Sequence, residues 1–413
     1  MNLSVLYISY DGLTDPLGQS QILPYLEGLS EFGVNFHLIT FEKKEQFKSL
    51  KRVVEKRCIE ANINWHPINY TKNPPLFSTL YDLRKMQKKA LNLQASIGFD
   101  IVHCRSYLPA VVGHKLKLNH DVKFVFDMRG FWADERVEGK IWSLSNPIFK
   151  LVYRFFKRKE RLFFKDADAT ISLTENGRNE ILSWEEISKV SPFIEVIPCC
   201  VDLEKFNPNK ISSSEIKEVK AQLDILKEEF VLGYIGSIGT WYMLDEMLDY
   251  YAVLRTKQKS SKFLFISGES PENIVSKARS KGIPKEEVIV KKVKHDQVPL
   301  YSSIFDCSIF FIRPTFSKKA SSPTKQGELM AMGVPIICNS GVGDTDEIVL
   351  KYNAGEIVES FNYKTYNKIS LDFSKYDKGK IIDGAHEVYS LKKGVQRYFD
   401  VYKQVFGKTI QKQ

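Results

Sequence analysis

Lys325 and Glu328 stand three residues apart in SSPTKQGELMAMGVPIICNSG, 321–341, and therefore share one face of any helix formed there. Ser322 as N-cap, Pro323 as first helical residue and Gly333 as stop predict a short helix over 323–332. In its first turn Lys325 adds positive charge to the positive end of the helix dipole, which is unfavourable by about 0.3–1 kcal/mol. A bound anion reverses that sign, so the N–H groups around Ser322 and Thr324, with the Lys325 ammonium, make a phosphate site. Glu328, one turn further on, offers a carboxylate to two vicinal hydroxyls, as a ribose requires. Phosphate and ribose one helical turn apart describe a nucleotide. Gly327 inside the helix costs about 1 kcal/mol relative to Ala, which calls for close approach of a ligand or of backbone. The plainer alternative is a surface helix in which Lys325 and Glu328 form a weak ion pair.

Other chemistry-bearing residues follow strands. Strand LSVLYIS near 3–9 leads into YDGLTDPLGQSQILPYLEGL, with Gly12 and Gly18 in the turn and Ser20 or Gln21 opening a helix. The spacing is not G-x-G-x-x-G, yet a glycine loop with Gly18 and Gln19 before a helix presents N–H groups to an anion or a sugar. His103 ends the strand DIVHCR and Arg105 follows it; His103 lines a cleft or is a satisfied core histidine. Trp132, Asp134 and Glu135 contact an acceptor or serve packing and capping. Trp241 and Tyr242 stack on a nucleotide or anchor a helix. Asp166 and Asp168 form a D-x-D pair before the strand ATISLT, at the wrong end for a ligand, and read as a turn. Asp344 and Glu347 have capping-box spacing. No metal is expected.

These residues need a scaffold of alternating strands and helices. Short β-rich runs recur near 3–9, 35–41, 100–105, 123–129, 169–174 and 193–199, and again near 230–237, 262–268, 288–293, 307–313 and 335–340, with helical stretches between them. Such alternation predicts an α/β chain with parallel sheets, and the unpatterned CCVDLEKFNPN closing at Pro208 divides it into two doubly wound domains. Ligands of such sheets sit beyond the carboxyl ends of the strands, which is why residues after strands carry the weight here.

The chain has 413 residues, 60 Lys+Arg against 50 Asp+Glu for a formal charge of +10, and 43% hydrophobic residues. That length excludes a single small binding module, and the charge suits anionic partners without choosing among them. Six cysteines, Cys199 and Cys200 adjacent and none in C-x-x-C, suggest neither a disulfide framework nor a zinc site. The N-terminus lacks a basic region ahead of its short apolar run, and nothing approaches the roughly 18 apolar residues of a membrane span. A cytoplasmic location is expected, and a nucleic-acid role has no motif behind it.

DGLTDPLGQSQILPYLEGL, FDMRGFWADE (126–135), IPCCVDLEKFNP (197–208) and ELMAMGVPIICNSGVGDTDEIV (328–349) together resemble glycosyltransferase family 4, of the bacterial surface-polysaccharide type. The resemblance implies a GT-B fold: two Rossmann-like domains facing a cleft, 1–205 binding the acceptor, 206–385 binding a nucleotide-sugar, and 386–413 returning as a helix to the N-terminal domain. It implies a retaining transferase in which Glu328 holds the donor ribose. The family's first glutamate falls at Ala320, followed by Ser321 and Ser322 in place of glycines. Gly236 matches the glycine after the first strand of the second domain, but the arginine expected next is Ser237. Diphosphate neutralisation then falls to Lys325 and Arg313, with Lys318 or Lys319 behind them. Where a histidine often ends the strand KFVFDMR, Asp127 and Arg129 stand instead, and with Lys325 they are the candidate catalytic residues. Gly236, Ser237, Arg313, Ser322, Thr324, Lys325 and Glu328 are the expected donor contacts; Gly18, Gln19, His103 and Arg105 are the expected cleft or acceptor residues.

The implied reaction moves a sugar from a nucleoside diphosphate to a saccharide or lipid-linked saccharide, with no metal cofactor. Two alternatives remain: an epimerase of sugar nucleotides, or a non-catalytic saccharide-binding partner of a polymer assembly complex. In PIFKLVYRFFKRKERLFFK (147–165), Lys150, Arg154, Lys157, Arg158, Arg161 and Lys165 gather on one helical arc and Phe149, Val152, Tyr153, Phe156, Phe163 and Phe164 on another. This helix either touches an anionic membrane surface or simply packs its aromatic face on a sheet.

Overall fold

Continuous apolar runs in the sequence become strands buried on both faces, the signature of parallel sheets covered by helices. The computed structural model describes residues 3–410. Its first sheet has strands β1 (Leu3–Ser9), β2 (Val34–Glu42), β3 (Ile63–Asn69), β4 (Ile101–Arg105), β5 (Lys123–Asp127), β6 (Ala169–Ser172) and β7 (Ile194–Val196). They run parallel in the order β3-β2-β1-β4-β5-β6-β7. The second has β8 (Phe230–Ile235), β9 (Ser261–Ile266), β10 (Val288–Lys291), β11 (Cys307–Phe310), β12 (Ile336–Asn339) and β13 (Gly355–Val358), parallel in the order β10-β9-β8-β11-β12-β13. Both sheets therefore reverse direction once, between β1 and β4 and between β8 and β11, and such switch points are where doubly wound folds bind ligands. All six cysteines are buried.

Two strands were not legible in the sequence. β3 is an edge strand containing Pro67, and only its first residue is buried, so its apolar signal is broken. β13 is an edge strand of four residues, GEIV.

The chain divides into a unit of residues up to Pro198 together with those from Leu391 on, and a second unit, Cys199–Ser390. The expected limits lay at 205 and 386. Residues 199–206 belong to the second unit because Val201 and Phe206 enter its core and the Val201 N–H donates to the Tyr389 carbonyl at 2.7 Å. Residues 386–390 complete the helix Lys378–Val388 and its exit. The final helix, Leu391–Ile410, packs in the first unit on the helix Leu23–Glu31. Their approach is close enough that a Cβ on Gly28 would lie 2.9 Å from Val395.

Candidate active site

In the second unit β8 is followed by Gly236, whose φ of 105° is a conformation that only glycine adopts without strain. A Cβ there would stand 3.3 Å from the Lys325 Nζ. Lys325 comes from the helix Thr324–Ala331. That helix starts one residue later than predicted: Pro323 is its N-cap, with no side-chain capping bond. Ser322 accepts instead from the Cys199 N–H at 3.2 Å, so its hydroxyl holds the segment leading into the helix. The helix is pinned from behind by Gln326, which donates to the Thr345 carbonyl. Gly327 is explained by packing: a Cβ would lie 2.9 Å from both Tyr389 and Val201, so side chains of the same unit require the close approach.

The Lys325 side chain is buried, and its Nζ makes no hydrogen bond. It lies 3.6 Å from the Tyr242 ring centroid and 4.1 Å from that of Tyr234. Burial drives its pKa well below the ordinary lysine value, and the Glu328 charge only partly offsets this. Tyr242 is pushed up to about 12, chiefly by burial, so its phenol is neutral. One turn on, Glu328 Oε1 is held by His295 Nε2 at 3.0 Å, and Lys205 Nζ lies 2.7 Å from His295 Nδ1. Neither His295 nor Lys205 was singled out in the sequence. His295 follows β10 at the carboxyl end of the sheet, so the rule applied to the other strands would have found it.

The remaining donor candidates are dispersed. Arg313 is exposed and lines a cleft of about 540 Å³ with Gly239, Glu269, Asn273 and Lys277; Lys325 is not among the lining residues. Ser237 is exposed, and its carbonyl accepts from the Tyr234 hydroxyl at 2.7 Å. Thr324 is half-buried at the start of the helix. Lys318 is buried with its ammonium 3.8 Å from the Trp241 ring centroid, while Lys319 is exposed beside Phe316. Trp241 and Tyr242 thus each carry a lysine on a ring face and pack against the core.

In the first unit β4 and β5 end side by side at Arg105 and Asp127. The residues just beyond them, Ser106 at φ 71° and Arg129 at φ 58°, occupy the left-handed region, a strain that clusters at functional sites. Asp127 is fully buried. Its carboxylate lies 3.6 Å from Arg105, 3.8 Å from Arg129 and 3.7 Å from His103, and accepts from the Tyr398 hydroxyl at 3.2 Å. Burial by itself would raise its pKa, but Arg129, His103 and Arg105 together hold it below the usual value. His103 is buried and hydrogen-bonded through Nδ1 to Tyr402 at 2.7 Å, and burial lowers its pKa. Asp127 Oδ1, Arg105 Nε and His103 Nε2 have no hydrogen-bond partner. Four of the predicted residues thus form one buried cluster, completed by two tyrosines from the final helix.

The glycine loop does not behave as expected. Its helix, Pro16–Gln21, begins at Asp15–Pro16 rather than at Ser20 or Gln21. The N–H groups of Leu13 and Thr14 donate to the buried Glu42 carboxylate at 2.8 and 3.1 Å, and the Thr14 hydroxyl adds a third bond at 2.5 Å. An internal carboxylate thus occupies the donors offered to a ligand anion. Gly18 is needed for close packing, since a Cβ would be 2.1 Å from the Gly12 carbonyl oxygen. Gln19 donates to the Leu13 carbonyl and accepts from Arg57, so both residues shape the turn.

Several other readings resolve as structural. Asp166 pairs with His114 at 2.7 Å, and Asp168 with Lys117 at 2.6 Å and the Phe124 N–H; no group of three or more His, Cys, Asp or Glu that could hold a metal occurs among the described residues. Asp344 is the N-cap of Thr345–Lys351 but makes no side-chain capping bond, so the expected capping box is absent. Trp132 packs against Tyr107, Trp142 and Phe156, and Asp134 accepts from Tyr153 and Lys157.

The chain matches the model of Glycosyltransferase Family 4 over residues 21–205 and that of Glycosyl transferases group 1 over residues 215–378. No curated protein matches by sequence. Among solved structures it is similar to sucrose-phosphate synthase from Thermosynechococcus elongatus (TM-score 0.73, 14% identity, 98% of this chain and 100% of that one). It is also similar to the Anabaena protein Alr3699/HepE solved with UDP and glucose (TM-score 0.69, 13% identity, 97% and 99%). A third is WaaG, a glycosyltransferase involved in lipopolysaccharide biosynthesis (TM-score 0.62, 12% identity, 97% and 97%). At such identities these structures speak for the fold, while the two family models match consecutive stretches that together span most of the chain: it belongs to the family 4 glycosyltransferases of GT-B fold.

Proposed function

We propose that the protein is a retaining glycosyltransferase that moves a sugar from a nucleoside diphosphate to a hydroxyl of a saccharide or lipid-linked saccharide, in the assembly of a cell-surface glycan and without a metal. The observation that carries this reading is the buried Lys325 ammonium without a hydrogen bond, beside Gly236 and one helical turn from Glu328. A buried unpaired cation is expensive, and a diphosphate compensates it. Glu328 Oε1 is held by His295, which leaves Oε2 for the ribose hydroxyls. In front-face substitution the bond from the sugar C1 to the phosphate oxygen breaks and the bond to the acceptor oxygen forms on the same face; the acceptor proton passes to the departing diphosphate. Lys325 and the N–H groups of the Thr324–Ala331 helix stabilise that leaving charge, the largest kind of catalytic effect available to such a site. Asp127 has a lowered pKa and stands beside two guanidinium groups, so it orients Arg105 and Arg129 rather than taking a proton, and Arg129 is the residue of that cluster that meets the acceptor.

The lipid-linked form of the acceptor is favoured by the helix Pro147–Asp166. Phe156, Phe163 and Phe164 are buried, so most of the aromatic arc serves packing. Lys157 is tied to Asp134 and Glu160, and Arg161 and Lys165 to Glu186. Outward remain Lys150, Arg154 and Arg158, alongside an apolar stripe of Ile148, Leu151 and Phe155 exposed by 58, 69 and 45%. Exposed apolar residues flanked by cations suit the headgroup region of an anionic leaflet, and no helix among the described residues is long and apolar enough to cross a membrane.

Incubation with labelled UDP-, GDP- and ADP-sugars tests the reading. Release of nucleoside diphosphate, with the donor's anomeric configuration kept in the product by NMR, is expected. An isomerised sugar nucleotide would establish an epimerase, and binding without turnover a saccharide-binding partner.

A further inference from the structure

The second unit places two opposite charges one helical turn apart without letting them meet. Lys325 Nζ makes no hydrogen bond, although Glu328 lies on the same face of the same helix. What holds the Glu328 carboxylate elsewhere is His295, from the loop between β10 and the helix Val298–Ser302. That loop is a tight turn closed by the Gln297 N–H donating to the Lys294 carbonyl at 3.0 Å and by the Lys294 N–H donating to the Gln297 side chain at 3.2 Å. The imidazole also packs against the Phe206 ring, 5.6 Å between centroids.

The tautomer follows from the partners. An ammonium can only donate, so Nδ1, 2.7 Å from Lys205 Nζ, must accept and carries no proton. The ring proton then sits on Nε2 and is donated to Glu328 Oε1 at 3.0 Å. A chain from Lys205 through His295 to Glu328 thereby fixes the carboxylate by one oxygen. Without it, the nearest cation on the helix face is Lys325, and a Glu328 that swung there would neutralise the charge a diphosphate needs while withdrawing the oxygen a ribose needs.

We propose that His295 is a positioning residue for the donor: it holds Glu328 toward the ribose and away from Lys325, so that the nucleoside and the diphosphate are recognised by separate groups. This rests on the donor-site reading above and adds a residue to it. The variants His295→Ala, His295→Gln and Glu328→Ala, in the full-length protein, are titrated calorimetrically with UDP, GDP and ADP and with their 2′-deoxy counterparts. The wild type is expected to favour the ribose form of its nucleotide by about tenfold, the scale of one lost hydrogen bond to a charged group. His295→Ala is expected to lose most of that preference and also to bind the 2′-deoxy nucleotide more weakly than the wild type does, because the released Glu328 then competes with the diphosphate for Lys325. His295→Gln, whose amide still donates, is expected to keep most of it. A preference lost in Glu328→Ala but intact in His295→Ala overturns the positioning role alone. A preference intact in both overturns the ribose assignment of Glu328 and the proposal with it. A His295→Gln variant as impaired as His295→Ala overturns the hydrogen-bond basis.

Discussion

Lys325 Nζ lies 3.6 Å from the centroid of the Tyr242 ring, a tyrosine that follows Gly236 by six residues and supplies an aromatic face where a hydrogen-bond acceptor is missing. The amine is flanked by two rings and makes no hydrogen bond, which makes the second unit a receptor for negative charge even though its glycine loop lacks an arginine.

The first prediction concerns protons. Burial lowers the Lys325 pKa in the empty site, and a bound diphosphate raises it again. Between the two values, binding takes up a proton, and affinity falls as pH rises, by up to tenfold per unit. Below the lower value, uptake ceases. Calorimetry in buffers of different ionisation enthalpy is expected to show net proton uptake in the wild type that is absent in Lys325→Met; equal uptake in both would contradict it.

The buried cluster of the first unit predicts a stability effect. Asp127→Ala leaves the buried Arg105 with only the half-exposed Asp11 carboxylate, 3.9 Å away, and is expected to cost about 3–5 kcal/mol in denaturant unfolding, the range for breaking a buried pair. Because the folded-state pKa of Asp127 is lowered, its contribution is present above the ordinary carboxylate range and is lost as pH falls toward the folded value. A variant as stable as wild type at neutral pH would show that the cluster carries no net stabilisation.

How much of this was legible follows from where each signal arises. The strands were readable because both faces of a parallel sheet are apolar, and edge strands β3 and β13 escaped because they are not. Lys325 and Glu328 were readable as a pair since helical spacing alone puts them on one face. Asp15 followed by Pro16 is a helix start that could have been read in place of Ser20. The meetings of His295 with Glu328, of Glu42 with the glycine loop, and of Tyr398 and Tyr402 with β4 and β5 span 28 or more residues of sequence, and no local pattern announces them.

Membrane association predicts salt-sensitive sedimentation with liposomes containing phosphatidylglycerol. Arg154→Glu with Arg158→Glu is expected to weaken it by about 1 kcal/mol per residue, and Leu151→Asp with Phe155→Asp to reduce the part that persists in high salt. Hydrolysis of donor in solution should be unchanged. Wild-type protein that ignores such liposomes at low ionic strength would point to a soluble acceptor.

Metal removal gives a further check. With the leaving diphosphate held by Lys325 and helix N–H groups, turnover is expected to persist in EDTA; complete loss restored by Mn²⁺ or Mg²⁺ would mean that a cation carries the charge assigned to the lysine.

The most direct measurement is nucleoside diphosphate binding by calorimetry to wild type, Lys325→Ala and Glu328→Ala. Each substitution is expected to weaken binding by about 1–3 kcal/mol, the scale of a charged hydrogen bond, with the fold intact by circular dichroism. Wild-type affinity in both variants would contradict the donor site described here.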